Sequence, residues 1–264
     1  MTPAAAHCTA RGGRPTNEDA VAVGDGLALI ADGVGGGPDG GRAASLAVAA
    51  GTGWLQACPL DPLPALLALP VVAADALATA RPALHPKAAT GLAAARLRAG
   101  IGYAVALGDC RVTILRRSAG AGWKPVSSTA DHDALALAAR DVAAALHLRR
   151  DPAVLTAEAA ADAGRRLLSA VRVHGPREPL APVVATPLRP GDVVLLTTDG
   201  VHDVLGSVGV CGLLDDLDEP GERGRTGSAS DPGRLSAELV RRALALGSRD
   251  NCTAAAMVVP PTDS

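Results

Sequence analysis

The sequence predicts an α+β fold with antiparallel sheets. Short apolar runs typical of strands come in pairs joined by tight turns, as at Asp25-Gly26 and Ala99-Gly100. Helical blocks rich in Ala separate these pairs, whereas a strict alternation of strands and helices would favour a parallel sheet. With 264 residues, the chain is long enough to bury a sizeable core in one large or two small domains.

The composition restricts the core and the partners. Aromatic residues make up 1% of the chain and Phe is absent, so Ala, Val and Leu must fill the core. The net charge of −2 gives no reason to expect a nucleic acid or an anionic membrane as partner. The five cysteines form no CxxC pair, which favours free thiols and a cytoplasmic location over disulfides or a zinc site. The N-terminus shows no secretory signal.

The first 81 residues predict strands, then helices. Residues 7–32 read as strand, loop and strand, ending with the apolar run from Leu27 to Asp32. Helices are expected over 40–57 and 63–81. Prolines interrupt the apolar stretch from Leu60 to Ala80, which makes it a poor membrane span and predicts a pair of helices broken at proline.

The remainder predicts a second β-rich block and more helices. Strands are expected over Ala89–Arg98, Ile101–Leu107, Val112–Leu115, Lys124–Val126, Val183–Pro187, Val193–Thr198 and Thr253–Val259. A turn is expected at Arg189-Pro190-Gly191-Asp192. Helices are expected over 133–147, 156–173 and Leu235–Leu246. Residues 218–233 are polar and rich in Gly and Pro, which predicts a flexible loop.

Acidic residues recur where strands or turns end. Two apolar runs far apart in the chain finish in Asp-Gly, at Asp32-Gly33 and at Asp199-Gly200. Further acidic positions lie at Asn17-Glu18-Asp19, Asp109, Asp203 and Asp250-Asn251. Any one Asp-Gly is most simply a turn. Together, these carboxylates predict oxygen ligands gathered around hard cations, as in a metal-dependent hydrolase.

Six ordered motifs resemble those of the type 2C metal-dependent Ser/Thr protein phosphatases, in the bacterial branch of that family. The resemblance spans about residues 11–259. The motifs are Arg14-Pro-Thr-Asn-Glu-Asp19, Ala31-Asp-Gly-Val-Gly-Gly36, Val105-Ala-Leu-Gly-Asp-Cys-Arg111, Thr129-Ala-Asp-His132, Arg189 to Asp203, and Arg249-Asp-Asn-Cys-Thr253.

The resemblance implies a fold and a domain plan. Two facing, mostly antiparallel sheets would be flanked by helices on both outer sides, an α-β-β-α sandwich with the metals at one end of the sheets. Residues 1–264 would form a single catalytic domain, with a flap within 133–180 and the flexible loop at 218–233.

The resemblance also implies the metal ligands. Asp32 would bridge two Mn²⁺ or Mg²⁺ ions, and the Gly33 carbonyl would be a further ligand. Asp199 and Asp250 would complete the shell of the first metal, while Glu18 and Asp19 would act near the second, through water.

Further positions are implied around this core. Arg14 would clamp the substrate phosphate, which its planar fork suits. Asp109 and Asp203, with Asp199, would hold a possible third ion. Asn251 would contact the metal ligands without binding a metal itself.

The implied activity is hydrolysis of phosphoserine and phosphothreonine in proteins by a metal-activated water, with a signalling role opposite a Ser/Thr kinase. The alternatives are a non-catalytic phosphoprotein-binding regulatory module of the same fold and a hydrolase of small phosphoesters.

Two positions depart from the family pattern. Val34 stands where many eukaryotic members carry a His, and Cys110 replaces the usual Ser. His202 is expected to be partly exposed and not a ligand, and Cys110 to be a buried, inert thiol.

Overall fold

The structure, a computed structural model, describes residues 3–34, 38–58, 61–129, 170–172, 183–219 and 229–260. The predicted helix over 133–147, most of that over 156–173 and most of the predicted flap lie outside the described residues.

Eleven strands are present in the described part of the chain. They are β1 (Ala4–Ala10), β2 (Asp19–Gly24), β3 (Leu27–Gly33), β4 (Ala89–Arg98), β5 (Ile101–Leu107), β6 (Arg111–Ser118), β7 (Gly122–Ser128), β8 (Val171–Arg172), β9 (Val184–Pro187), β10 (Val193–Thr197) and β11 (Cys252–Val258). Sheet one has the order β1-β11-β10-β6-β7, and sheet two has the order β2-β3-β4-β5-β9, with β8 paired to β4. Every pairing is antiparallel, as the sequence predicted.

Four α-helices lie in the described segments. They are α1 (Gly40–Ala57), α2 (Pro62–Thr79), α3 (Asp199–Asp218) and α4 (Pro232–Ala245), with a short 3₁₀ turn at Arg81–Ala83. The helices α1 and α2 pack on sheet two, and α3 and α4 pack on sheet one. The predicted α-β-β-α sandwich is therefore confirmed.

Small side chains bring the two sheets together. Sheet two contributes mainly alanines to the layer between the sheets, whereas sheet one contributes larger residues such as Ile114, Leu196 and Met257. All of these side chains are buried, so the layer excludes solvent without any Phe. The absence of aromatic residues is thus compatible with a continuous core.

Three predicted elements are wrong or incomplete. The described part of the predicted helix pair forms the single helix α2 (Pro62–Thr79), with Pro70 inside it, and not two helices broken at proline. The end of the helix predicted over 156–173 is strand β8. The predicted loop over 218–233 begins at the end of α3 and finishes inside α4; residues 220–228 of it lie outside the described residues.

The helix α3 was not predicted. Its glycines lower helix propensity, and Gly206 interrupts it with a φ of 62° and a ψ of 173°. The helix forms because tertiary packing buries Val201, Leu205 and Leu213 against sheet one.

One described helix, α2, is long and apolar enough by length and composition alone to cross a membrane, with a mean hydropathy of 1.6. Its residues Leu66, Leu69 and Leu77 are fully buried against α1 and sheet two. The core helix of a soluble protein meets the same criterion, so the composition of α2 is weak evidence for a membrane span.

Candidate metal centre

Two carboxylates face each other at the end of the β2–β3 hairpin. Asp19 begins β2 and Asp32 nearly ends β3, and the strand register pairs the two directly. Like charges in directly opposite positions repel. The hydroxyl of Thr90 donates to the backbone carbonyl of Asp32 at 2.7 Å, which fixes the backbone under this pair.

Sheet one delivers two more carboxylates to the same end. The backbone N–H of Thr198 donates to the carbonyl of Thr253 at 3.1 Å, which holds the start of α3 against the start of β11. Asp199, the first residue of α3, and Asp250, just before β11, consequently line one surface cleft. Asp203 lines the same cleft, one helical turn after Asp199.

The carboxylates lie close enough to change one another's protonation. Burial raises the pKa of Asp19 to about 7, and repulsion from Asp199 and Asp250 adds to the rise. Burial also raises the pKa of Asp32, followed by repulsion from Asp19 and Asp199. The cluster is therefore destabilising when it is fully ionised and has no cation to compensate it.

This cluster predicts a pH-dependent stability for the metal-free protein. The folded protein binds a proton at Asp19 more tightly than the unfolded chain does, because the pKa is about 7 in the fold and 3.8 ordinarily. The free energy of unfolding therefore falls as the pH rises from 3.8 to about 7. We expect the gain in free energy of unfolding caused by Asp19→Asn to grow across that interval. Urea unfolding of both proteins in excess chelator at several pH values measures it; a difference that shrinks with rising pH would contradict the raised pKa.

Two threonine hydroxyls, for which the sequence predicted no role, hold Asp19. Its Oδ2 accepts hydrogen bonds from Thr253 Oγ1 at 2.6 Å and from Thr198 Oγ1 at 3.0 Å. Thr9 Oγ1 lies 2.7 Å from Thr253 Oγ1 and extends this network. Thr198 and Thr253 stand inside two of the six motifs, which is the signal in the sequence that points to them. The other oxygen of Asp19, Oδ1, is buried and has no hydrogen-bond partner among the described residues.

Asn251 anchors the segment that carries Arg14. Its Nδ2 donates to the carbonyls of Arg11 and Thr16 at 2.8 and 2.9 Å, and its Oδ1 accepts from the backbone N–H of Glu18 at 2.9 Å. These contacts fix the backbone of the segment, and the supporting role implied for Asn251 stays a prediction. Glu18 also contributes its backbone, because its carbonyl accepts from the N–H of Gly33 at 3.2 Å.

We expect Asn251→Ala to lower the free energy of unfolding by about 3 kcal/mol, since three partly buried hydrogen bonds are lost at about 1 kcal/mol each. The comparison variant is Asn17→Ala, which removes the only other Asn of the chain and with it two exposed hydrogen bonds, one to Thr9 Oγ1 and one from the backbone N–H of Asp19. Chemical unfolding of both variants tests this, and the loss for Asn17→Ala should be smaller. Equal losses would show that the three bonds of Asn251 contribute no more than exposed ones.

Arg14 lies on the acidic cluster. Its guanidinium forms an ion pair with Asp250, and this hydrogen bond, with the charges of Asp199 and Asp32, raises the pKa of Arg14. The Arg14 side chain is 42% exposed, so it can also reach a group that enters from solvent. The structure thus brings the predicted phosphate clamp to the predicted metal ligands.

The remaining predicted positions lie around this core. The charge of Asp109 contributes to the raised pKa of Asp32, whereas Asp203 lies on the side of Asp199 and Asp250.

Cys110 is buried, and that burial raises the pKa of its thiol well above the usual value, which agrees with an inert thiol. The prediction of a partly exposed His202 is wrong: this residue lies on α3 with its side chain buried, and Nδ1 is 2.9 Å from Thr197 Oγ1.

The donor set fits hard divalent cations. All the converging groups carry oxygen donors, and the buried Asp19 Oδ1 has an open acceptor site in the described structure. Within the described residues, however, no three His, Cys, Asp or Glu side chains converge on one point as a preformed ligand group. Both oxygens of Asp250 are engaged with the protein, Oδ2 with Arg14 and Oδ1 with the backbone N–H of Asn251.

Several solved structures with this fold are described as Ser/Thr phosphatases. PstP/Ppp from Mycobacterium tuberculosis is 25% identical, with a TM-score of 0.72 over 98% of this chain and 100% of that one. The catalytic domain of the phosphatase PstP in complex with two manganese ions is 25% identical, with a TM-score of 0.70 over 98% and 99% of the two chains. PppA, described as a key regulatory component of the T6SS in Pseudomonas aeruginosa, is 22% identical, with a TM-score of 0.68 over 98% of both chains.

The fold is that of the bacterial type 2C Ser/Thr phosphatases. The resemblance to the bacterial type 2C Ser/Thr phosphatases is confirmed across nearly the whole chain. No protein-family model and no curated protein matches the sequence.

Proposed function

We propose that the chain is a Mn²⁺- or Mg²⁺-dependent phosphatase that hydrolyses phosphoserine and phosphothreonine in proteins. The observation that carries the proposal is the cluster of carboxylates that both sheets deliver to one end of the sandwich, with Arg14 on it. The neighbour solved with two manganese ions supports the choice of cofactor.

The ligand roles are those that the resemblance to the type 2C phosphatases implies. Asp32, the Gly33 carbonyl, Asp199 and Asp250 would hold the ions, and Glu18 and Asp19 would act near them. Asp203 and Asp109 are candidates for a third, weaker site with Asp199. When bound, the ions would activate water as the nucleophile and neutralise charge on the phosphoryl oxygens.

The chain itself supplies binding and orientation. Arg14 would leave Asp250 for the substrate phosphate, because a guanidinium can donate two parallel hydrogen bonds to phosphate oxygens. The threonine network would orient Asp19 and partly offset the rise in its pKa, since hydroxyl donors favour the charged carboxylate. The Asn251 anchor would hold the Arg14 segment at the correct distance.

A regulatory role without catalysis is the second candidate. The similarity to PppA, which is described as a regulatory component, favours it. A hydrolase of small phosphoesters is the third. The proposed setting is the cytoplasm, with a phosphorylated protein as substrate, a Ser/Thr kinase as the opposing enzyme and one catalytic domain over residues 1–264.

The test is metal-dependent release of phosphate from a phosphothreonine peptide. We expect turnover with Mn²⁺, none in excess chelator, and for Arg14→Ala a KM raised by about tenfold or more, because a charged bidentate contact is lost. A panel of phosphorylated metabolites run in parallel separates a protein phosphatase from a small-phosphoester hydrolase.

Metal binding by calorimetry with no turnover on any phosphopeptide or metabolite would contradict the proposal and favour the regulatory module. The matched control for Arg14→Ala is Arg11→Ala, an exposed arginine three residues earlier whose side chain bonds only to the carbonyl of Pro15 among the described residues. Equal effects of the two substitutions would remove the specific role of Arg14.

A further inference from the structure

A second polar cavity lies at the opposite end of sheet one from the candidate metal centre. Three guanidinium groups from two parts of the chain line it, together with an indole ring and two carboxylates. We call it the arginine cavity, and its main lining residues are Arg116, Arg117, Trp123, Arg189, Asp192 and Asp218. The strand β10 separates it from the metal centre by roughly 20 Å at 3.3 Å per residue.

The two carboxylates of the cavity are engaged with the protein. Asp192 is almost fully buried and accepts from Arg116 Nε and Nη2 at 2.8 and 2.7 Å and from the backbone N–H of Arg189 at 2.7 Å. Asp218 accepts from Trp123 Nε1 at 2.8 Å and from the N–H of Ala229 at 2.9 Å. Both carboxylates therefore accept hydrogen bonds from the protein, and these bonds orient Arg116 and Trp123.

Two of the guanidinium groups retain donors for a ligand. The side chain of Arg117 is 60% exposed, and its contact with Asp218 is loose at 3.4 Å. Arg189 is exposed, and no ion pair joins its guanidinium to another side chain in the part of the chain that the structure describes. Its backbone is nevertheless fixed, because the turn from Arg189 to Asp192 closes on itself and Gly191 donates to the carbonyl of Val259 at 2.9 Å.

We propose that the arginine cavity binds a phosphate group, with Arg117 and Arg189 as its direct donors. Guanidinium groups on a fixed wall suit a tetrahedral oxyanion, because each can donate two parallel hydrogen bonds. The negative field of the metal centre is screened at this distance, which exceeds the Debye length of about 8 Å at physiological salt. The phosphate can come from solution or from a phosphorylated protein, and the site requires no catalytic activity.

The two tryptophans of the chain provide the test. Trp123 lines the cavity and its indole N–H bonds to Asp218, whereas Trp54 packs on the outer side of sheet two with its indole N–H on the carbonyl of Ala65. In ¹⁵N NMR spectra of the metal-free protein, titration with inorganic phosphate should shift the Trp123 indole signal saturably and leave that of Trp54 in place. Sodium chloride at equal ionic strength is the reference, and Trp54→Phe assigns the two signals.

Variants identify the donors. We expect Arg117→Ala and Arg189→Ala each to weaken phosphate binding by about tenfold or more. Arg14→Ala, at the metal centre, and Arg241→Ala, an exposed arginine ion-paired to Glu238 on α4, should leave the titration unchanged. The absence of a saturable shift of the Trp123 signal would overturn the proposal. So would a shift that remains in both cavity variants, or one that is lost in Arg14→Ala.

The source of the phosphate is distinguished by a second titration, with a phosphoserine peptide and its unphosphorylated form. Tighter binding of the phosphopeptide than of inorganic phosphate would assign the site to a protein-borne phosphate. Equal or weaker binding would assign it to the free ion. Binding of the unphosphorylated peptide with the same affinity would contradict a phosphate site. Because these measurements use metal-free protein, their outcome is independent of the proposed hydrolysis.

Discussion

Asp32→Asn should abolish Mn²⁺-dependent phosphate release while it stabilises the metal-free protein. Activity should fall by about three orders of magnitude, since the amide cannot provide the negative charge that a bridging ligand needs. Stability should rise because the substitution removes a buried charge that Asp19 and Asp199 repel. Turnover of a phosphothreonine peptide, calorimetry with Mn²⁺ and thermal unfolding in chelator measure the three effects.

The matched control is Asp25→Asn. Asp25 lies in the exposed turn at the other end of the same hairpin, with a φ of 27° that Asn also tolerates. This variant should retain activity, metal affinity and stability. Full activity of Asp32→Asn would refute the metal mechanism. Lost activity with unchanged stability in chelator would instead refute the buried charge repulsion.

Gly200→Ala should destabilise the protein by about 3 kcal/mol, as expected for overpacking against a rigid backbone. A Cβ atom at Gly200 would overlap the backbone carbonyl oxygen of Asn251 and lie 3.2 Å from the Cβ of Asp250. The start of α3 and the start of β11 would have to separate, and Asp199 and Asp250 would move apart with them. Chemical unfolding measures the loss of stability, and calorimetry with Mn²⁺ should show weaker binding.

The control for this substitution lies on the same helix. A Cβ atom at Gly212 would meet no atom within 4 Å, so Gly212→Ala should stabilise the protein by about 0.5 to 1 kcal/mol through helix propensity. Comparing Gly200→Ala with Gly212→Ala separates the effect of close packing on stability from the general effect of replacing a glycine. If Gly200→Ala were as stable as the wild type, the close contact between α3 and the Asn251 loop would not exist in solution.

Much of the fold was readable because local chemistry and tertiary structure agree. The β4–β5 hairpin and α1 occur at their predicted bounds, since turn residues and an Ala-rich block specify them locally. In α2, by contrast, Pro70 predicted a break, but the buried leucines on either side of it keep the helix continuous. Helix α3 was missed because its glycines oppose helix formation and only burial against sheet one compensates for them.

The candidate site divides in the same way. The sequence alone identified the acidic positions and Arg14, because Asp-Gly after an apolar run is a local pattern and the six motifs keep their order. Only the structure showed the threonine network on Asp19, the burial of His202 and the Arg14–Asp250 ion pair. Each of these depends on contacts between residues far apart in the chain, which hydrophobic periodicity and turn chemistry do not encode.

The sequence by itself thus determined which residue types are available and at which strand ends they lie. The tertiary structure decided which of them meet, which are buried and how strongly they interact. The physical reason is that desolvation and charge repulsion act through space: Asp19 has an ordinary carboxyl group in the sequence, and its pKa rises to about 7 only where folding buries it and brings Asp199 and Asp250 near it. The arginine cavity likewise exists only because β6 and the Arg189 turn meet at one end of sheet one.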